Sequence, residues 1–223
     1  MRFPYRAGVA CARTIVLATF MGLAPCAWSQ PSTDQSPNAR LLVAAREGKV
    51  PEVEQLLKEG AAPNSRNRLG KTPLLMASEK GNLALAELML KAGGDVNQAS
   101  LEGVTPLMAA SYGGHHEVVR KLLDAGARTE PQDRMHKNAM VYAAAQGHVQ
   151  VIEALLAGGV DVNATYEHQL TALMWAAGSG QATTVRFLLG QGARPELRDD
   201  RGFTAREIAS QAGQAEASAA FGP

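Results

Sequence analysis

Five histidines are the side chains best suited to chemistry in this chain: His115, His116, His136, His148 and His168. Imidazole is a common metal ligand and the usual proton carrier near neutral pH. His136 and His168 stand 32 residues apart, each with a carboxylate close by in sequence, Asp133 and Glu167. Two imidazoles and a carboxylate would hold a divalent metal if the fold brought them together. No nucleophile motif and no Gly-rich phosphate loop is present. Both cysteines, Cys11 and Cys26, fall within the first 29 residues, which leaves the rest without a thiolate for metal, disulfide or nucleophile. The chain therefore reads as non-enzymatic, with no catalytic residues and no cofactor. The His136/His168 patch stands as an alternative small-ligand or metal site, and a bare structural spacer as another.

What positions these residues is a strict period. Ala44, Ala77, Ala110, Ala143, Ala176 and Ala209 fall 33 residues apart, and Gly48, Gly81, Gly114, Gly147, Gly180 and Gly213 keep the same step. Apolar pairs followed by Gly keep it too, from Leu56-Leu57 with Gly60 to Leu188-Leu189 with Gly192. Self-similarity at one fixed period means stacked copies of a single supersecondary unit. Residues 104–130 show what the unit is. Thr105 is a helix N-cap and Pro106 suits the first helical position, so a short helix runs from Pro106 to about Tyr112, stopped by Gly113-Gly114. A second helix spans about His116 to Asp124, with Val118, Val119, Leu122 and Leu123 as its apolar stripe and Gly126 after it. A polar finger then leads to the next cap.

On these residues the chain resembles the ankyrin-repeat family. The motifs are Gly70-Lys71-Thr72-Pro73-Leu74, Gly103-Val104-Thr105-Pro106-Leu107, Leu170-Thr171-Ala172-Leu173 and Gly202-Phe203-Thr204-Ala205, with Gly114-His115 and Gly147-His148 opening second helices. The likeness covers about residues 38–220. It implies an all-α solenoid of helix-turn-helix units with β-hairpin or loop fingers, in which His115 and His148 are structural. The expected organisation is an N-terminal capping repeat (38–66), four full repeats (67–99, 100–132, 133–165 and 166–198) and a C-terminal capping repeat (199–223).

Departures from the pattern carry information. The family's His after Thr-Pro-Leu is replaced by Leu75, Met108, Val141 and Met174, so apolar packing is expected in place of imidazole bonding. Repeat 133–165 is the weakest copy, with Lys137-Asn138-Ala139-Met140 at the cap. His136 and Gln169 stand where the finger-tip Gly belongs. A positive φ there would cost each about 1–2 kcal/mol.

Residues 1–29 differ in kind. Arg2, Arg6 and Arg13 precede an apolar run from Thr14 to Ala24, and Ala27-Trp28-Ser29 offers small residues for cleavage. This reads as a secretory signal peptide, with an organellar transit peptide as the alternative; the run is too short to span a bilayer. Residues 30–37, rich in Pro, Ser and Gln, read as a disordered lead-in. The expected location is the periplasm, or alternatively full secretion, with no stable membrane insertion once the signal is removed. Without the three arginines, 19 basic residues face 21 acidic ones, and that balance lacks the footprint of a nucleic-acid binder.

Binding of a protein partner remains. In the implied architecture the fingers and first helices line a continuous concave face. The outward positions carried over by register are Arg68, Leu69, Lys71, Glu79 and Lys80, then Leu101, Glu102, Val104 and Tyr112, then Arg134, Met135 and Lys137, and finally Glu167, His168 and Leu170. Leu69, Leu101, Met135 and Leu170 are apolar tips unusual on a surface that meets only water. Tyr142 and Trp175 occupy equivalent places on neighbouring first helices; they either fill the space between helices or anchor a partner. The partner's identity and the oligomeric state are not encoded in these patterns.

Overall fold

Each repeat begins where a hydroxyl or carboxamide closes a helix N-terminus. The computed structural model describes residues 36–222. The expected signal segment 1–29 and residues 30–35 of the lead-in lie outside the described residues. Ser36 and Pro37 are already structured: Pro37 opens the first helix, and Ser36 caps it by accepting the Ala39 N–H at 3.2 Å. Ser36 and Pro37, the last two residues of the expected lead-in, thus belong to the helical array.

The helices come in pairs. They are α1 (Pro37–Glu47) and α2 (Val50–Lys58), α3 (Pro73–Glu79) and α4 (Leu83–Lys91), α5 (Pro106–Tyr112) and α6 (His116–Asp124). Then follow α7 (Ala139–Gln146) and α8 (Val149–Ala157), α9 (Ala172–Gly178) and α10 (Ala182–Gly190), α11 (Ala205–Gln211) and α12 (Ala215–Ala219). First helices pack on first helices and second helices on second helices along the array, the first-helix layer being the tighter. The bounds of α5 and α6 coincide with those read from Thr105, Pro106 and Gly126. No regular strand is present among the described residues. The fingers are turns, and the isolated bridges Thr165–Thr171 and Arg198–Thr204 are the nearest approach to the expected hairpins.

Small residues set the spacing. The six periodic alanines are at most 1 % exposed, because only a methyl fits where neighbouring first helices cross. Leu56, Met89, Leu122, Leu155 and Leu188, from the second helices, are fully buried against them. Gly114, at φ 74°, does double service: an L side chain is disfavoured there, and a Cβ would lie 2.7 Å from the His148 ring. That ring donates its Nε2–H to the Tyr112 carbonyl (2.9 Å), His115 does the same at Glu79 O (3.3 Å), and the Gln181 amide donates to Ala145 O (3.2 Å). The two histidines are stitches between repeats.

The substituted cap positions work by different chemistry. Leu75, Met108, Val141 and Met174 are buried, as expected. Two of them do more than pack: the Met108 and Met174 sulfurs accept the N–H of Thr105 and Thr171 at 3.5 Å, closing a capping box with a thioether. The 133–165 repeat is not weak at its cap, because Asn138 Oδ1 accepts the Val141 N–H at 3.0 Å and α7 forms in full.

Asparagine ties successive loops on the other side of the unit. Asn64 donates to Gly93 O (3.1 Å) and accepts from Asp95 N–H (2.7 Å); Asn97 does so with Gly126 (3.3 Å) and Arg128 (2.8 Å), and Asn163 with Gly192 (3.2 Å) and Arg194 (2.8 Å). The same register places Glu130 and Glu196 in the other two full repeats.

Among the described residues, the buried hydroxyls of Ser111, Tyr166 and Thr184 have no hydrogen-bond partner. Thr184 is fully buried on α10 with its Oγ1 unbonded, whereas the equivalent places one and two repeats earlier hold Val151 and Val118. Removing an unpaired buried hydroxyl while keeping the side-chain shape recovers about 1 kcal/mol. Thr184→Val should therefore raise stability by about that amount in urea unfolding, seen as a higher midpoint with unchanged slope.

Candidate functional site

Five fingers project from the first-helix side: residues 67–71, 100–104, 133–137, 166–170 and 199–203. Each closes with one backbone bond from its first residue's N–H to its last residue's carbonyl, at 2.9–3.1 Å. Four start with a short polar side chain that caps the turn from inside. Asn67 Oδ1 accepts from Leu69 and Lys71 N–H, Asp133 Oδ1 from Met135 and Lys137, Asp199 Oδ1 from Arg201 and Phe203, and Ser100 Oγ from Val104. The fourth finger starts with Tyr166, which cannot do this. It winds as a 3-10 turn over Glu167–Gln169.

The finger tips adopt positive φ in the non-glycine copies: His136 at 55° and Gln169 at 57°, joined by His168 at 59°. The third of these has no counterpart in the sequence pattern.

Leu69, Leu101 and Met135 are the exposed apolar tips, at 60 %, 57 % and 63 % exposure, and Tyr112 is 56 % exposed beside them. Leu170 is a correction. It is half-buried and packs on the core, so it is not an outward tip. Arg68, Glu79, Lys80, Glu102, Arg134, Glu167 and His168 are exposed, and Lys71, Val104 and Lys137 half-buried. Several of the charges are already paired within the chain: Lys71 with Glu79 (2.5 Å), Arg134 with Glu102 (3.3 Å) and His168 with Asp200 (2.9 Å).

Tyr142 and Trp175 are packed within the array and also reach its surface. Each is half-buried, Trp175 packing on the apolar core and Tyr142 on Tyr112 of the preceding first helix. Tyr112 meets Tyr142 edge-to-face with centroids 5.6 Å apart. The Lys137 ammonium lies over both rings, 5.8 Å from Tyr142 and 5.2 Å from Trp175. Tyr142 also donates its hydroxyl to Asp133 Oδ2, which fixes the ring and braces the third finger. Burial, and then the Asp133 carboxylate, push the Tyr142 phenol well above its usual range. Burial likewise pushes Tyr166 up to about 12. Beside these rings a cavity of about 390 Å³ is lined by Glu79, Val104, Met108, Ala109, Tyr112 and Tyr142. It exists because position 109 holds Ala where the neighbouring repeats hold Met76 and Tyr142.

The His136/His168 pair does not become a metal centre. Asp133 is buried and committed to finger amides and Tyr142, and His168 is turned to Asp200 in the next finger. No group of three His, Cys, Asp or Glu converges among the described residues.

With this geometry in place, comparison with known proteins is decisive for the family. The family profile described as Ankyrin repeats (3 copies) matches residues 41–133, 84–166 and 139–219. The chain belongs to the ankyrin-repeat family. The array is similar to the crystal structure of the ankyrin repeat protein EF0377, with TM-score 0.74 and 26% identity over 82% of this chain and 96% of that one. Among curated proteins no match was found. Ankyrin repeats are in general modules for protein–protein interaction, and the ankyrin fingers and first helices carry the exposed apolar residues found here.

The last ankyrin finger has a pH signature. Burial works against the charge on Asp199, but the Phe203 N–H and the Arg201 side chain and N–H outweigh it and hold its carboxyl below the usual aspartate value. A carboxylate depressed on folding stabilises the fold above its unfolded pKa of about 3.9, and that stabilisation fades as pH falls through the folded value. Asp199→Asn keeps the Oδ1 acceptor without the charge. Its loss of stability between pH 7 and pH 3, followed by circular dichroism in urea, should be smaller than that of the parent chain.

Proposed function

We propose that this chain is an exported, non-catalytic binding module that holds one protein partner on its finger and first-helix face, in the periplasm. The observation that carries this reading is the row of exposed apolar side chains on successive fingers, Leu69, Leu101 and Met135, ending beside the Tyr112–Tyr142–Trp175 cluster. Exposed large apolar residues on this scale mark interaction surfaces, and Tyr and Trp are the side chains that most often anchor them. A specific interface takes about 20–30 residues a side, which several fingers together supply and one does not. The export element rests on the basic, then apolar, then small-residue order of residues 1–29. No helix among the described residues is long and apolar enough to cross a membrane. A partner enzyme of the same compartment, stabilised or inhibited by the contact, fits a module with paired charges and no reactive constellation of its own.

A photo-crosslinking amino acid at Tyr112 or Met135, with the full chain expressed in its own compartment, should capture one defined partner. The same probe at Arg120, exposed on the second helix α6, should not. The combined Leu69, Leu101, Tyr112 and Met135→Ala variant should reduce co-purification of that partner at least tenfold with its helicity unchanged. Equal capture from both faces, or recovery unaffected by the four substitutions, would refute this binding face.

A further inference from the structure

The irregularities of this array are not scattered. They fall on two neighbouring loop segments, 128–137 and 159–170, and each removes a tie that other junctions possess. The first is the finger ladder. Leu101 N–H donates to Leu69 O (3.0 Å), Arg134 N–H to Glu102 O (3.0 Å) and Asp200 N–H to His168 O (3.1 Å). The equivalent bond, from Glu167 N–H to Met135 O, is not formed among the described residues. Two departures meet at the missing bond, and a tip Cβ alone does not prevent it, because Gln169 carries one and Asp200 N–H still reaches His168 O. A Cβ at Gly70 would stand 2.9 Å from Leu101 N, and one at Gly103 3.1 Å from Asp133 Cα, so each tip glycine lets the next finger close on it. His136 occupies that place with a Cβ, at φ 55°. The fourth finger, lacking an internal cap at Tyr166, takes a different turn.

The second lost tie is the asparagine clip. Glu130 stands where Asn64, Asn97 and Asn163 bridge loops, and a carboxylate cannot donate to the Gly159 carbonyl. Its Oε1 instead accepts the neighbouring Thr129 hydroxyl at 3.2 Å. A cavity of about 330 Å³ lies at this point, lined among others by Glu130, Asn138, Gly159, Asp161 and Tyr166. What still crosses the junction is the packing of α7 on α9 and of α8 on α10, the Gln181 stitch to Ala145 and the Lys137 contact with Trp175.

We infer that the array carries a built-in joint between its third and fourth fingers, at which residues 159–222 open from residues 36–158 as a separate cooperative block. In a linear stack, stability is a sum of repeat terms and nearest-neighbour interface terms, so a junction stripped of two ties is where cooperativity breaks. The joint runs beneath the face that carries Tyr142 and Trp175, and its opening changes the spacing of those rings. The inference does not depend on the binding reading.

Hydrogen exchange of the whole chain, read by mass spectrometry, tests it. Helical amides of α9–α12 should exchange as one group, about tenfold or more faster than those of α3–α7, with a step at the junction. Glu130→Asn with His136→Gly installs residues the array already uses at those positions, so folding is preserved, and the step should shrink to within about threefold. Asn97→Glu should create a second step one junction earlier. Exchange that rises smoothly toward both ends, as in ordinary fraying, overturns the joint. So does a step that survives the Asn/Gly repair.

Discussion

The first helix of each full repeat ends beside a left-handed glycine against which the next repeat lays an imidazole or a carboxamide. Gly81 faces His115, Gly114 faces His148, Gly147 faces Gln181 and Gly180 faces Gln214, each so closely that a Cβ would lie under 3 Å from the ring or amide. Everything else follows from that approach. It lets His115, His148 and Gln181 reach the last carbonyls of the preceding first helix, which would otherwise be unpaired at a helix C-terminus. It also sets the distance at which the periodic alanines meet, and hence the direction in which the fingers point. One glycine per repeat thus fixes the geometry of the face that the chain presents.

Most of this was legible because a repeat is read several times over. The bounds of α5 and α6 and the buried alanines follow from Thr-Pro, Gly and apolar pairs recurring in register, and the structural place of His115 and His148 from the family resemblance. What escaped the sequence was chemistry that depends on where a side chain turns. Met108 and Met174 read as apolar filler, yet their sulfurs accept cap amides. Lys137-Asn138 read as a failed cap, yet the Asn138 carboxamide closes α7 as Thr does elsewhere. Leu170 read as an exposed tip, but the altered turn after Tyr166 folds it onto the core. The replacement of Asn by Glu130 carried no signal until the clips at Asn64, Asn97 and Asn163 were seen in space.

The candidate face was half legible. Leu69, Leu101, Met135 and Tyr112 lie outward as register implied, because finger tips and the last turn of a first helix have no neighbour to cover them. The polar residues named beside them were harder to judge, since contacts such as the Lys71–Glu79 ion pair and the His168–Asp200 hydrogen bond cross between elements that sequence distance does not bring together. For Tyr142 and Trp175 packing does not exclude exposure. At the inner edge of a stack, one ring is covered on one side and open on the other.

The bond from the Tyr142 hydroxyl to Asp133 has a further consequence. Asp133 already holds two amides of its finger, so the ring is tied to a turn that is itself fixed, and Tyr112 and Lys137 close on two of its sides. Ordering a mobile side chain on association costs about 0.5–1.5 kcal/mol. For this tyrosine that ordering is complete in the free protein. Whatever lands on the ring meets a surface that is preorganised.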